Sequence, residues 1–288
     1  MIYAYIDEQR VNVPVGRLCH ALGVSTSGCY AGRHRGPSQR KRANETLLVH
    51  LRAIRAETHE TYGSPRMQVE LVKRGQPCSV NRVARLMRLY HLAARHKRPY
   101  HPKTTCADPT RPVVPNRLAQ DFTAEAPNQK WLGDITYIPT AEGWLYLAAV
   151  LDLYSRRIIG WALDQTMTTD LVCTALDMAL GRRQPAVGLL HHTDRGSQYT
   201  SRAYQEVLTA HGLVASLSGT GYCYDNAPME SFFATLKAEL ISRTSYATRA
   251  AARQNIVWYI EGFYNATRRH SALGYRSPLD FERARAMA

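Results

Sequence analysis

The sequence lacks the features of a membrane or secreted protein. Its apolar run Trp144–Leu151 is too short for a membrane-spanning helix, which needs about 20 apolar residues. No basic segment followed by an apolar core, the pattern of a signal peptide, stands at the N-terminus. We therefore expect a soluble, cytoplasmic protein.

Paired metal-binding cysteines are also missing. None of the cysteines is spaced Cys-x-x-Cys, and no His-x-x-x-His stands beside them, which disfavours a structural zinc site. The scatter is typical of reduced thiols in a cytosol. The six cysteines are Cys19, Cys29, Cys78, Cys106, Cys173 and Cys223.

Acidic residues are scarce in the first 112 positions. That stretch holds 20 Lys and Arg against 7 Asp and Glu, an excess of 13, whereas residues 113–288 hold 17 against 16. A concentrated basic region predicts a polyphosphate partner, here nucleic acid. The alternative is a solvated basic surface that serves solubility.

Two segments show helix-turn-helix patterns. Residues 13–35 have apolar residues at helical spacing on both sides of Gly23-Val24-Ser25, although a plain helical hairpin would share that pattern. Residues 64–91 repeat it more clearly, because Ser64-Pro65 suits a helix start and Ser79 can cap a second helix. We predict one such segment over 1–45 and a second helix-turn-helix domain over 46–98.

The second helix of that domain carries three arginines on one face. Arg82, Arg85 and Arg88 are spaced by three residues, so they share a side of the helix opposite its apolar residues. A basic second helix is typical of a reader of the DNA major groove. An ordinary amphipathic helix with a solvated arginine face is the alternative.

Prolines and basic residues mark a linker over 99–125. The prolines prevent regular structure, and the charges require solvent or phosphate, so this linker is expected to lie along a DNA backbone. The residues that carry this pattern in 94–117 are Arg95, Lys97, Arg98, Lys103 and Arg111 among Pro99, Pro102, Pro109, Pro112 and Pro115.

Residues 126–288 predict an α/β domain. Three strand-like runs, Lys130–Pro139, Trp144–Leu153 and Arg157–Asp164, are separated by short breaks and favour an antiparallel meander. Further strands are expected at 187–193 and 213–217, and helices at 168–182, 200–211, 226–242 and 246–266. This order predicts a mixed sheet with flanking helices.

Three acids stand in unusual places within that domain. Asp134 lies inside an apolar strand, Asp194 follows a strand where a Gly-containing loop begins, and Glu230 lies near a helix start that Asn226 can cap. Singly, they could be a strand-edge residue, a turn former and an ordinary helix acid. Together, three carboxylates at a sheet edge could hold two Mg²⁺ ions about 4 Å apart for phosphodiester chemistry.

Five ordered strings give the chain a strong family resemblance. It resembles the second-reading-frame transposases of a large bacterial insertion-sequence family within the retroviral-integrase superfamily. Between Asp194 and Glu230 lie 35 residues, the spacing of that superfamily's Asp-Asp-Glu acids. The strings are Tyr62-Gly63-Ser64-Pro65-Arg66, Asn128-Gln129-Lys130-Trp131 with Asp134-Ile135-Thr136-Tyr137-Ile138, His192-Thr193-Asp194-Arg195-Gly196-Ser197-Gln198-Tyr199, Cys223 to Lys237, and Tyr264-Asn265 with Arg268-Arg269-His270-Ser271-Ala272-Leu273-Gly274-Tyr275.

The resemblance implies an RNase H-like catalytic core. Asp134, Asp194 and Glu230 would bind Mg²⁺ or Mn²⁺, and the enzyme would cut element ends to a 3′-hydroxyl that attacks a second phosphodiester. Lys237 lies on the helix face of Glu230, seven residues on, and is expected near the scissile phosphate. The remaining expected DNA contacts are Asn226, Arg66, Arg268 and Arg269 together with Arg82, Arg85 and Arg88.

The resemblance also implies partners. These are double-stranded DNA, as terminal repeats and target, and further copies of the chain, because two ends must be paired. The family's first-reading-frame coiled coil is absent here, so a separate partner or a frameshift fusion is expected, in a nucleoid-associated protein. One departure is Ser218-Gly219-Thr220-Gly221, where the family usually carries a basic residue.

Two other functions fit the same residues. An RNase H-like nuclease would use the same acids with water as the only nucleophile, and its products would never join. An inactive relative that represses its own element would bind DNA without needing metal. The basic N-terminal segments and Lys237 argue against the first, and the intact acids argue against the second.

Overall fold

The computed structural model describes residues 2–34, 36, 38–94, 114–219 and 223–286. It divides into two compact units. The first comprises Met1–Glu57 and Tyr62–Ala93, and the second comprises Thr58–Thr61 and Ala94–Ala288. Residues 99–113 of the predicted basic linker lie outside the described residues, and residues 114–125 contain no helix or strand.

The first unit is helical. Its first three helices pack around Ile6, Cys19 and Cys29, which are all buried. Two of them, on either side of the turn at Gly23, are the pair indicated by the pattern over 13–35; the helix before them and the long fourth helix were not predicted. The helices are α1 (Ile2–Gln9), α2 (Val15–Ala21), α3 (Thr26–His34), α4 (Gln39–Glu57), α5 (Ser64–Lys73) and α6 (Val80–Leu89).

Local chemistry sets the bounds of α5 and α6 as the sequence predicts. Pro65 stands in the first turn of α5, and Gly75, with a φ of 71°, reverses the chain after it. The Ser79 hydroxyl accepts a hydrogen bond from the backbone N–H of Arg82 and so caps α6. The predicted helix pair is therefore confirmed.

The second unit contains a five-stranded mixed sheet, which confirms the predicted fold class. Its spatial order is β3-β2-β1-β4-β5, in which β1 to β3 are antiparallel and β4 and β5 run parallel to β1. The short strand β4 pairs with the first residues of β1, so its C-terminal end lies beside the middle of β1. The strands are β1 (Lys130–Thr140), β2 (Gly143–Asp152), β3 (Ile158–Asp164), β4 (Leu190–Thr193) and β5 (Val214–Leu217).

Helices flank this sheet, with shorter bounds than the sequence predicts. The helix expected at 226–242 begins one residue later and ends at Glu239, and the one expected at 246–266 begins after Thr248, whose hydroxyl caps it. The latter continues as a π-helix, Trp258–Tyr264. The helices are α7 (Thr169–Arg183), α8 (Arg202–Ala210), α9 (Ala227–Glu239), α10 (Arg249–Val257) and α11 (Pro278–Ala286), and a 3₁₀ turn, Cys223–Asn226, precedes α9.

Strand β4 is also shorter than the predicted run 187–193. Gly188 has a φ of 97°, a backbone conformation in which an extended strand cannot continue. The strand therefore begins at Leu190. Its C-terminal end, which matters for the site, is where the sequence predicts it.

The last helix, α11, was not predicted from the sequence. The Glu282 carboxylate holds it to the sheet by accepting hydrogen bonds from Arg157, at 2.8 Å, and from Ser155, at 2.7 Å. Arg183 of α7 is also paired with Glu282. These partners hold the pKa of Glu282 below its usual value, against the opposing effect of burial.

The structure also tests the membrane question. In the part of the chain that the structure describes, no helix has both the length and the apolarity required to cross a bilayer.

Candidate active site

The sheet register brings Asp134 and Asp194 together. Strands β1 and β4 are parallel neighbours with Leu132 opposite His192, and the same register continued by two residues sets Asp134 level with Asp194. Gly133 permits this approach, because a Cβ there would lie 3.0 Å from a methyl group of Thr193. The two acids therefore lie side by side on neighbouring strands of the sheet.

The surroundings of these two carboxyl groups disfavour their charged forms. Burial, then the negative charge of Asp194 and, more weakly, that of Glu230 raise the pKa of Asp134 well above its usual value. Burial also raises the pKa of Asp194. Each carboxylate accepts a local backbone hydrogen bond, from Ile135 at 2.7 Å and from Gly196 at 2.9 Å respectively. A cation at this edge would relieve both the desolvation and the repulsion.

Glu230 lies in the first turn of α9 and is exposed. Its charge acts on Asp134, so the helix brings it into the neighbourhood of the aspartate pair.

Lys237 is also in this neighbourhood. Its positive charge lowers the pKa of Asp134, opposing part of the rise. Its ammonium nitrogen lies 4.7 Å from the centre of the Tyr137 ring, within the range of a cation–π contact. The sequence predicts a position beside the scissile phosphate, and the structure brings Lys237 close to the same carboxylate.

The side chain of Asn226 forms a different hydrogen bond from the one predicted. It stands at the N-cap of α9 but its side chain makes no capping hydrogen bond, so that expectation is wrong. Its amide instead donates to the carbonyl of Gly133 at 3.2 Å, next to Asp134. The reason is burial: Asn226 is only 6% exposed, and its Nδ2 meets a strand carbonyl there. Its Oδ1 is buried without a hydrogen-bond partner.

The donor chemistry of the site fits a hard divalent cation. Carboxylate oxygens are the ligands that Mg²⁺ and Mn²⁺ prefer, and two of the three acids are partly buried on neighbouring strands. Among the described residues, however, no group of three His, Cys, Asp or Glu side chains has an arrangement that could hold a metal ion.

The histidines before Asp194 support the site and remain uncharged. Burial lowers the pKa of His191 to about 3 and that of His192 to about 4. His191 pairs with the Tyr204 hydroxyl at 2.6 Å, and His192 lies between the hydroxyls of Ser216 and Ser218. These are core contacts that fix the end of β4 and leave acid–base chemistry at neutral pH to other groups.

The arginines expected to contact DNA in the first unit differ in their surroundings. Arg85 and Arg88 are on α6, whereas the Arg82 guanidinium donates two hydrogen bonds to Asn44 of α4, at 3.0 and 2.8 Å. Arg66, on α5, lies over the ring of Tyr62 at 5.8 Å. Arg85 and Arg88 are thus the pair whose guanidinium groups are the more available to a ligand.

The two C-terminal arginines have intramolecular partners. The Arg268 guanidinium is buried and donates twice to Glu239, at 2.8 and 2.7 Å, where the Tyr259 hydroxyl also donates. Arg269 donates to the carbonyl of Tyr275 at 2.8 Å. Because the Arg268 guanidinium is already bound to Glu239 inside the fold, Arg268 is not available to contact DNA.

A buried carboxylate beside α9 was missed by the sequence reasoning. Asp225 is 3% exposed and accepts three hydrogen bonds, from Asn116 at 2.9 Å, Gln120 at 3.0 Å and the backbone of Gly219 at 2.8 Å. It ties the segment 116–120 to the start of the helix that carries Glu230. Its signal in the sequence is weak, since Asp before Asn is common in turns.

Ser216 anchors the same segment. Its hydroxyl oxygen accepts from the backbone N–H groups of Arg117 and Leu118, at 2.9 and 3.2 Å. Both lone pairs are then used, so the hydroxyl donates to Nδ1 of His192 at 2.8 Å, which leaves the proton of that ring on Nε2. The support behind Asp194 and Glu230 is therefore one continuous hydrogen-bonded layer.

We expect Asp225→Asn to destabilise the protein by about 1–3 kcal/mol, because an amide nitrogen would face buried donors in place of an acceptor. The free energy of unfolding in urea measures this change. Asp121→Asn is the matched control, since Asp121 is largely exposed and pairs with Lys130 at the surface. Its effect should be smaller than that of Asp225→Asn, because a surface ion pair contributes little to stability. Equal losses in the two variants would contradict the support role of Asp225.

Comparison with known protein families identifies the class of this site. Two models described as an integrase core domain match residues 124–223 and 211–278, and an HTH-like domain matches residues 41–100. The second unit is therefore an integrase-type core, and a helix-turn-helix segment precedes it.

Relatives along the whole chain give the family. The chain is 44% identical over 264 residues to the insertion element IS600 uncharacterized 31 kDa protein of Shigella sonnei, covering 92% of this chain and 97% of that protein. It is 42% identical over 284 residues to transposase InsF for insertion sequence IS3A of Escherichia coli K12, covering 98% of each. The chain belongs to the IS3-type family of insertion-sequence transposases, which are proteins of DNA transposition.

One solved structure matches this chain at much lower sequence identity than these relatives. It is a chain of the simian T-cell lymphotropic virus intasome in complex with the PP2A regulatory subunit B56 gamma, with 15% identity and a TM-score of 0.47. The match covers 80% of this chain and 73% of that one. The family assignment stands on the sequence relatives.

Proposed function

We propose that this transposase cleaves the ends of its element to leave a 3′-hydroxyl and then joins that end to a second DNA. Asp134, Asp194 and Glu230 are the catalytic acids and the metal ligands. The observation that carries the proposal is the pair of partly buried carboxylates with raised pKa values, Asp134 within β1 and Asp194 directly after β4, with a third acid nearby on α9.

A pair of Mg²⁺ or Mn²⁺ ions would supply charge neutralisation at the attacked phosphodiester and activation of the attacking oxygen. Asp134 and Asp194 are held in place for this role by the sheet. Glu230, at the exposed start of α9, would be the third residue to hold the metal, and the cation would offset the repulsion among the three carboxylates.

Both steps displace a 3′-oxygen from phosphorus. In cleavage, a water oxygen attacks phosphorus and the P–O bond to the 3′-oxygen breaks, so the element strand ends in a 3′-hydroxyl. In joining, that hydroxyl attacks a phosphodiester of the target, loses its proton and displaces a target 3′-oxygen, which takes up a proton. Lys237 contacts a phosphate beside this position, and Asn226 holds the strand that carries Asp134.

DNA recognition is assigned mainly to the first unit. Its helix α6 would enter the major groove, with Arg85 and Arg88 as the principal contacts and Arg82 and Arg66 as further ones. The helix-turn-helix match and the basic excess of residues 1–112 support this assignment. Arg269 and Lys237 would contact DNA from the second unit.

We expect Arg85→Ala combined with Arg88→Ala to flatten the salt dependence of DNA binding. The logarithmic slope should fall by roughly one for each phosphate that an arginine no longer neutralises. Binding of labelled duplex is measured between about 50 and 200 mM salt. Arg74→Ala is the control, because Arg74 already pairs with Glu57 in the same unit and contributes less charge to a ligand. An equal decrease of the salt slope in Arg74→Ala would refute the assignment of DNA binding to α6.

Assembly follows from the reaction. Two element ends must be held together, so at least two copies of the chain act on DNA. A first-reading-frame partner, or a fusion to it, would supply pairing contacts. Size measurement of the complex with one and with two end duplexes tests this arrangement.

A joining assay tests the proposed chemistry. The substrate is labelled duplex with the element's own terminal repeats, read from the DNA that flanks the gene, with and without Mg²⁺ or Mn²⁺. Wild type should give joined products only with metal, and Glu230→Gln should bind the duplex but yield none. Nicking without joining, even after the first-frame partner is added, would favour a hydrolytic nuclease. Binding without cleavage under any metal would favour an inactive repressor.

A further inference from the structure

The exposed face of α6 differs from the one that the spacing of its arginines indicates. The Arg82 guanidinium is directed toward α4, where it donates two hydrogen bonds to Asn44. Asn81, Arg85 and Arg88 are the exposed polar residues of α6, and their spacing of four and three residues aligns them on one side of the helix. The outward polar face of α6 therefore begins with an asparagine and continues with two arginines.

Asn81 stands where the second helix of a helix-turn-helix meets the bases. It is the second residue of α6, and the N-terminal residues of such a helix contact base edges in the major groove. Arg85 follows one turn later, about 6 Å along the helix axis. Because successive base pairs are about 3.4 Å apart, the two side chains would reach positions one or two base pairs apart.

The side-chain amide of Asn81 is available to a ligand. It is exposed, and in the part of the chain that the structure describes no hydrogen bond engages it. A capping role does not explain the residue, because the Ser79 hydroxyl already caps α6. Arg82, the next residue, is in contrast held by Asn44.

An asparagine amide and an adenine base have complementary hydrogen-bonding groups. The amide presents an acceptor oxygen and a donor nitrogen side by side, and adenine presents its N6 amino donor and its N7 acceptor in the major groove. Because Asn81 is uncharged, it neutralises no phosphate and adds nothing to the salt-dependent part of binding. A contact from Asn81 would therefore contribute sequence preference, whereas Arg85 and Arg88 also contribute charge.

We propose that Asn81 is a specificity-determining residue, which accepts a hydrogen bond from N6 and donates one to N7 of a single adenine in the element's terminal repeat. Arg85 contacts the same DNA one turn further along α6. The inference rests on the proposed function in one respect, namely that α6 enters the major groove of the element end. It is independent of the catalytic acids and of the metal.

A binding measurement without metal tests this inference. The full chain is titrated in EDTA with labelled duplex of the terminal repeat, read from the DNA that flanks the gene, and with a panel in which one base pair at a time is replaced. Wild type should lose roughly tenfold or more in affinity when one particular A·T pair is replaced. At that pair, 7-deazaadenine, which lacks the N7 acceptor, should also weaken binding.

Asn81→Ala should differ from wild type at that pair alone. It should bind the unchanged duplex roughly tenfold more weakly, because the two hydrogen bonds to adenine are lost, and it should no longer distinguish the base at that position. Its salt slope should remain that of wild type, because no charge is removed.

Asn12→Ala is the matched control, since Asn12 is an exposed asparagine of the same unit in the turn between α1 and α2. It should discriminate at every pair as wild type does. The proposal is overturned if Asn81→Ala retains the wild-type discrimination, if its affinity falls by the same factor for every duplex of the panel, or if Asn12→Ala behaves in the same way.

The arginine variant distinguishes failure of this inference from failure of the proposed function. If Arg85→Ala combined with Arg88→Ala leaves the salt slope unchanged, α6 does not bind the DNA, and the role of Asn81 is refuted with it. If that variant flattens the slope while Asn81→Ala discriminates as wild type does, only the role of Asn81 is refuted. Because the titration needs no catalysis, failure of the joining assay would leave its result interpretable.

Discussion

Asp134→Asn is expected to abolish cleavage and joining and, at the same time, to raise the melting temperature of the metal-free protein. Loss of a ligand to the metal pair removes several kcal/mol of stabilisation from the transition state, a rate loss of about 10³-fold or more. The stability gain has a separate cause. The Asp134 carboxyl is desolvated and faces the charges of Asp194 and Glu230, so an amide of the same shape removes an unfavourable charge.

The metal response should separate the two effects. Mg²⁺ should raise the melting temperature of wild type, because a ligand that binds only the folded state stabilises it, and should leave that of Asp134→Asn nearly unchanged. Asp177→Asn, a change to an exposed acid on α7, is the control and should retain both activity and the Mg²⁺ shift. If Asp134→Asn lowered the melting temperature in EDTA, Asp134 would be a structural residue and the charge argument would fail.

Gly160→Ala should have the largest effect on stability. A Cβ at Gly160 would lie 2.1 Å from the carbonyl oxygen of Ala175 and 2.8 Å from the backbone nitrogen of Ala179. The obstacle is the backbone of α7, which cannot move aside as a flexible side chain could. We therefore expect a loss of about 3 kcal/mol or more in the free energy of unfolding, measured in urea.

Gly181→Ala is the matched control for that change. Gly181 belongs to α7 itself, and a Cβ there would meet no atom within 4 Å. The variant should gain roughly 0.5–1 kcal/mol, because alanine loses less backbone entropy than glycine in a helix. Similar losses in both variants would show that α7 does not pack on β3 as closely as the structure has it.

The fold was accessible from the sequence because its signals are local. The run of apolar and aromatic residues in β1, the capping hydroxyl of Ser79 and the break at Gly75 each act within a few residues. The position of Asp194 follows by the same logic, since strands end where polar residues and glycines begin, and Asp134 was recognisable as a charge inside an apolar strand. The bounds of α9 and α10 were less accessible, because the hydrophobic pattern continues beyond the residues at which the helices end.

The partners of individual side chains were not accessible in this way. Arginine commonly contacts DNA, so the sequence suggests that role for Arg268. Only the tertiary fold shows that the Arg268 guanidinium is hydrogen-bonded to Glu239. Asn226 has the sequence position of a helix cap, and its bond to Gly133 depends on how α9 approaches β1. In the sequence, Asp225 resembles an ordinary turn residue, because its partner Asn116 lies more than a hundred residues away. Trp144 likewise resembles an ordinary strand residue, because its contact with Tyr137 forms across a hairpin.

Metal-specific rescue tests the central claim most directly. Asp134→Cys and Asp194→Cys replace an oxygen ligand with a thiolate, which binds Mg²⁺ poorly and softer cations better. Both variants should be inactive in the joining assay with Mg²⁺ and should regain joined product with Mn²⁺ or Cd²⁺. Asp225→Cys, which changes a buried carboxylate beside the site that is not a ligand, should show no such dependence on the cation. Rescue of the first two alone would establish that these carboxylates bind the catalytic metal; rescue of none, or of all three, would contradict it.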